Sequence, residues 1–187
     1  MGFYEHDSFN LIFRSSIKFE NIEEKIKNSI SKQKSYWREL YKLESSYKQN
    51  EYHLLFYNIV KHLKIKKCTE IGVLNGYSLF SMGFGLKDNN NDGTIQGFDL
   101  FEDYEFKKQK FEIVQSDIDR LGLKNYVEIK KMDAFEVQNV VKNTDLLHVD
   151  ISNDGDTIEK MLLKWHKKVS KIIIFEGGSI DRDNIGW

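Results

Sequence analysis

From residue 66 onward, short apolar runs alternate with amphipathic segments, and that alternation restricts the chain to few folds. KCTEIGV (67–73), TIQGFDL (94–100), YVEIKKM (126–132), DLLHVDI (145–151) and SKIIIFE (170–176) read as strands, being short, apolar and rich in β-branched residues. Helical spacing separates them, near 77–86, 105–121, 134–141 and 156–166. Phe111, Val114, Ile118 and Leu121 share one helix face, and Ile158, Met161, Leu162 and Trp165 share another. Gly122 reads as a helix stop and DNNNDG (88–93) as a turn. Strand alternating with helix predicts an α/β fold, a Rossmann-like doubly wound parallel sheet with right-handed crossovers and helices on both faces. The unbroken apolar run Ile172–Phe175 fits a strand covered on both sides.

The first 63 residues have a different texture, which divides the chain into an N-terminal helical segment (1–63) and a nucleotide-type domain (64–187). Phe19, Ile22, Ile26 and Ile30 follow a helical face. Trp37, Leu40, Tyr41 and Glu44 begin a second, with Tyr36 and Tyr47 nearby, and YHLLFYNIVKHL (52–63) forms a third. These aromatic faces either pack onto the core or make a lid or a partner surface.

Lys and Arg total 28 against 29 Asp and Glu, for a net charge of −1, so electrostatics gives no reason to expect a nucleic acid or an anionic membrane as partner. The single cysteine, Cys68, excludes an internal disulfide and reads as a buried, inert thiol, in keeping with a reducing compartment. The N-terminus MGFYEHDSF lacks a basic region followed by an apolar run, and no segment reaches membrane-span length. The expectation is a cytoplasmic protein. Proline is absent, which is read as compositional bias.

In doubly wound sheets the ligand lies outside the carboxyl ends of the strands, where strand order reverses. Each strand here ends in or beside a carboxylate: Glu70, Asp99, Asp133, Asp150 and Glu176. Gly72 and Gly76 let the loop after the first strand turn tightly. Asp99 is placed to accept from the vicinal hydroxyls of a ribose, and Asp133 from the exocyclic amine of a base. Phe98, Leu100, Phe101 and Phe135 are apolar neighbours able to sandwich a purine. The glycine pattern GVLNG is not G-x-G-x-x-G, since Leu74 and Asn75 stand where the pyrophosphate glycine belongs, and no G-K-[ST] occurs. A ligand with ribose and adenine but no phosphate suits the site best.

EIGVLNGYS, GFDLFED, KKMDAFE and DLLHVDISND, in that order, resemble the motifs of class I S-adenosylmethionine-dependent methyltransferases. The resemblance extends over about 66 to 178, and LGLKNYVEIKKMDA is similar to small O-methyltransferases of that fold. It implies the strand order 3-2-1-4-5. It implies that Glu70, Gly72 and Gly76 lie beside the methionine part of S-adenosylmethionine, with Ser78 near its carboxylate and Asn75 and Leu100 also among the cofactor-binding residues. Asp99 takes the ribose, Asp133 and Ala134 the adenine, and Asp150 the point where cofactor and substrate meet.

The implied reaction is methyl transfer to a small hydroxylated molecule or sugar, with His148 or Asp150 as the base. His148 stands two residues before Asp150 and shares its side of the strand; it reads equally as a core histidine. In metal-dependent relatives, acids at the fourth and fifth strand ends bind a divalent cation, which places Mg²⁺ at Asp150 and Glu176. Gly177 and Gly178 stand where a second acid can occur. The family fold adds a helix and two strands, the last antiparallel, after the fifth strand, whereas this sequence stops at Trp187. Cover for the fifth strand is therefore expected from the N-terminal helices or from a second copy of the chain. The alternatives are a catalytically degenerate S-adenosylmethionine-binding scaffold and an N-methyltransferase.

Overall fold

The computed structural model describes residues 2–6, 9–13, 35–48, 51–90, 92–106, 108–152 and 154–176. The helical face at Phe19, Ile22, Ile26 and Ile30 and the glycine pair at 177–178 lie outside the described residues. Seven strands form one sheet: β1 (Gly2–His6), β2 (Phe9–Phe13), β3 (Lys67–Ile71), β4 (Thr94–Asp99), β5 (Val127–Lys131), β6 (Thr144–Val149) and β7 (Val169–Glu176), in spatial order β1-β2-β7-β6-β3-β4-β5. From β3 to β7 every neighbouring pair is parallel. Read from β5 across to β7, those strands follow the order 3-2-1-4-5 expected from the sequence.

Among the described residues the helices are α1 (Trp37–Leu40), α2 (Tyr52–His62), α3 (Tyr77–Asn89), α4 (Phe111–Arg120), α5 (Val137–Val140) and α6 (Gly155–Trp165). Alternation along the strands sends side chains to two cores. Cys68, Ile95, Leu146, Ile172 and Ile174 face the side packed by α2, α3 and α4. Ile71, Phe98, Leu147, Val149, Ile173 and Phe175 face α5 and α6, where Trp165 is fully buried. This is the two-sided cover that keeps parallel strands apolar throughout. Cys68 is buried, and burial raises its thiol well above the ordinary range, as an inert core residue requires.

The N-terminus corrects the expectation of helix from residue 1. Residues 2–6 and 9–13 pair antiparallel as β1 and β2, and β2 then pairs antiparallel with β7, from Phe9↔Glu176 to Phe13↔Ile172. The strand that needed an edge partner therefore receives one from the beginning of the same chain, so its backbone N–H and C=O groups enter a ladder. Among the described residues no helix is long and apolar enough to cross a membrane.

Candidate functional site at the strand ends

Strand order reverses between β3 and β6, and the loop 72–76 rises from the β3 end at that point. Gly72 (φ +90°) and Gly76 (φ +78°) both occupy the left-handed region. A Cβ built on Gly72 would lie 2.0 Å from the Asp150 carbonyl oxygen, and one on Gly76 2.5 Å from the Phe80 ring. The two glycines are thus demanded by the chain's own packing, which presses the β3 loop against the β6 end. The Asp150 N–H donating to the Ile71 carbonyl at 2.8 Å ties the same junction.

Asp99, at the end of β4, holds this loop. Its Oδ2 accepts from the N–H groups of Val73 (2.7 Å) and Leu74 (2.9 Å), and its Oδ1 from Phe101 N–H (2.7 Å). A carboxylate offers about four acceptor positions, of which the described residues fill three. The sequence reading gave Asp99 a ligand task only; its loop-shaping task has no local signature. Leu100, half-buried, opens the short turn Phe101–Asp103. Asn75 is engaged on both sides: its Nδ2 donates to the Glu44 carbonyl and its Oδ1 accepts from Gln109 Nε2, each at 2.8 Å.

Glu70, Ser78 and His148 form a separate polar unit inside the core. Glu70 and His148 are register partners on β3 and β6, both 0% exposed, with His148 Nδ1 2.8 Å from Glu70 Oε1. The Ser78 hydroxyl donates to the same oxygen. The Phe56 ring lies 4.7 Å from the imidazole. His148 does share the face of Asp150, as spacing indicated, but it is placed beneath the rim. Glu70 and Ser78 are likewise brought together with His148 rather than with the outer acids.

Asp150, half-buried one residue beyond β6, meets Glu176 at the end of β7. Burial, reinforced by the Glu176 carboxyl, pushes the Asp150 carboxyl well above the usual carboxylate range. Tyr47 donates its hydroxyl to Asp150 Oδ2 from across 103 residues of sequence. Burial and then the Asp150 charge raise the Tyr47 phenol well above its ordinary value. Tyr47 comes from the single turn Ser46–Lys48, and nothing in its local sequence marks it out from its aromatic neighbours.

Asp133 and Ala134 sit farther along the edge, after β5. Asp133 is exposed and its Oδ1 caps the following turn by accepting from Phe135 N–H at 2.8 Å. The five strand-end acids are therefore not one cluster: Glu70 is internal, Asp99 serves the loop, Asp133 is peripheral, and Asp150 and Glu176 adjoin. Among the described residues no group of three His, Cys, Asp or Glu side chains is arranged to hold a metal ion.

Residues 69–174 match a family described as a methyltransferase domain. Caffeoyl-CoA O-methyltransferase 1 of Nicotiana tabacum is 28% identical over 136 residues, covering 69% of this chain and 50% of that protein. Caffeoyl-CoA O-methyltransferase 1 of Zea mays is 27% identical over 136 residues, with coverages of 69% and 46%. The chain thus spans about half the length of the curated relatives it matches. In fold it is similar to an O-methyltransferase from Bacillus cereus in complex with SAH (TM-score 0.58, 16% identity, 80% of this chain and 68% of that one). It is also similar to the O-methyltransferase TomG from Streptomyces achromogenes in complex with SAM (TM-score 0.56, 17% identity, 82% and 70%).

Proposed function

The chain belongs to the methyltransferase domain family, and we propose that it binds S-adenosylmethionine at the β3–β6 junction and methylates a hydroxyl of a small molecule. The observation that carries this reading is the junction itself. A glycine loop lies against the Asp150 backbone, with Asp99 shaping it on one side and the Asp150–Glu176 pair standing on the other. The curated relatives it matches are O-methyltransferases, which supports an oxygen acceptor.

The donor set suits this cofactor. Asp99 retains one acceptor position for a ribose hydroxyl. No side chain caps the first turn of α3, which follows the glycine loop directly, and a helix N-terminus of this kind suits a carboxylate. Asp133 presents an exposed carboxylate oxygen to an exocyclic amine. Bound there, S-adenosylmethionine supplies a methyl group made electrophilic by its sulfonium. The chain's own part is to align the acceptor and to receive its proton. Asp150 is the residue for that proton, because it stands at the rim, whereas His148 is fully buried and held by Glu70. His148 is assigned a positioning role beneath the site.

The adjoining acids favour a second element. Asp150 and Glu176 fit two oxygen positions of an Mg²⁺ shell otherwise completed by water. Such a cation would lower the pKa of the acceptor hydroxyl and orient it.

The test is transfer of labelled methyl from S-adenosylmethionine to caffeoyl-CoA and to a panel of small catechols and sugars, with Mg²⁺ and with a chelator. Label in a hydroxyl of any acceptor supports the reading. Cofactor binding without transfer to any of them would favour the scaffold alternative. Transfer to amines alone would make the protein an N-methyltransferase. Transfer unchanged by chelator removes the cation.

A further inference from the structure

Residues 35–48 lie outside the stretch that matches the family, yet they reach the site at two points. The Glu44 carbonyl accepts from Asn75 in the middle of the glycine loop, and the Tyr47 hydroxyl donates to Asp150 at the β6 end. The segment 44–47 therefore bridges the same two elements whose backbones already meet at Gly72.

We propose that Tyr47 is a positioning residue of this site. Its hydroxyl fixes the Asp150 carboxyl, and with the Glu44–Asn75 contact it makes residues 44–47 a wall of the cofactor crevice that moves as one unit with the loop. The inference rests on the S-adenosylmethionine reading above and adds a residue that the family match does not contain.

The ring supplies the rigidity. Tyr47 is 6% exposed and is wedged against Phe56 (5.9 Å), Tyr52 (5.8 Å) and Tyr77 (6.4 Å). An aromatic side chain with two rotatable bonds loses little entropy when held. The hydroxyl is thus a fixed donor, and Asp150 adjusts to it rather than the reverse. Packing alone needs only the ring, and phenylalanine would satisfy it. What packing does not require is a hydroxyl aimed at one acid of the strand-end pair. Because the Asp150 carbonyl abuts Gly72, a displacement of Asp150 is transmitted directly to the loop.

The experiment is calorimetric titration of S-adenosylhomocysteine into the full chain as wild type, Tyr47→Phe, Asp150→Asn and the double variant, with melting temperatures recorded for each. Tyr47→Phe should weaken binding about tenfold, as loss of one buried hydrogen bond does, while melting within about 4 °C of wild type. The double variant should bind no more weakly than the weaker single one, because both changes break the same link. Amide exchange over 44–48 should slow on addition of S-adenosylhomocysteine. Wild-type affinity in Tyr47→Phe, or losses that simply add in the double variant, would overturn the inference and leave Tyr47 a packing residue. Should Tyr47→Phe fail to fold, Asn75→Ala tests the other end of the bridge, with the same weakening and faster exchange at 44–48 expected, and no change contradicting it. Absence of binding to the wild type would overturn the S-adenosylmethionine reading itself, and this inference with it.

Discussion

Glu70 and Asp150 are carboxylates on adjacent strands and on the same face of the sheet, yet they live in different chemistry. Glu70 lies one residue inside the end of β3, is 0% exposed, and has the Ser78 hydroxyl and the His148 ring on a single oxygen. Asp150 lies one residue beyond the end of β6, half-buried, with Tyr47 and the Glu176 carboxyl around it. A step of two residues in depth separates a core hydrogen-bond unit from a half-buried group at the rim. A carboxylate near a strand end is thus not by itself a site residue; its depth relative to the last ladder bond decides what it does.

That contrast is open to direct attack. The largest effect should come from Glu70→Ala, which strips the acceptor from two buried partners and leaves a cavity. We expect a loss of about 3–5 kcal/mol in urea denaturation, and a loss under about 1 kcal/mol would place Glu70 outside the core it occupies here. Next comes Asp99→Ala, which frees three backbone N–H groups of the loop and its neighbour. Its expected cost is about 2–3 kcal/mol, together with loss of cofactor binding. Stability unchanged with binding lost would mean that Asp99 serves the ribose alone.

A smaller effect concerns pH. Burial lowers His53 from 6.5 to about 4 in the fold, where Nδ1 lies 3.1 Å from the Tyr77 hydroxyl. The unfolded chain therefore binds more protons between those values. The contribution is fully present above pH 6.5 and is lost as pH falls toward about 4. Melting curves across that window should fall in the wild type and flatten in His53→Gln, by an amount on the order of 1 kcal/mol; parallel curves would remove His53 as the cause. Smallest of all, Asp133→Ala should cost about 0.5–1 kcal/mol, because Asp133 is exposed and loses only its bond from Phe135 N–H. Any defect should appear in cofactor affinity.

Much of this was legible in the sequence, for definable reasons. The parallel strands were, because short unbroken apolar runs such as Ile172–Phe175 alternate with helical spacing such as Phe111, Val114 and Ile118, with Gly122 as a stop after that helix. The strand-end acids were, because the fold directs strand ends to the ligand. The division between Glu70 and Asp150 was not, since a shift of one or two residues at a strand end lies within the uncertainty of any boundary read from pattern. Tyr47 was not, because its significance is a contact across 103 residues. The N-terminal strands were missed for the same reason: their partner, β7, lies at the far end of the described chain.

The central claim is that the junction beneath Gly72 binds S-adenosylmethionine. It is tested most directly by calorimetric titration of that cofactor into wild type and Gly72→Ala, since a Cβ there meets the Asp150 carbonyl at 2.0 Å and a φ of +90°. The account predicts saturable binding to wild type and none to Gly72→Ala under conditions where circular dichroism shows the variant still folded. Binding of equal strength to both, or to neither, would contradict it.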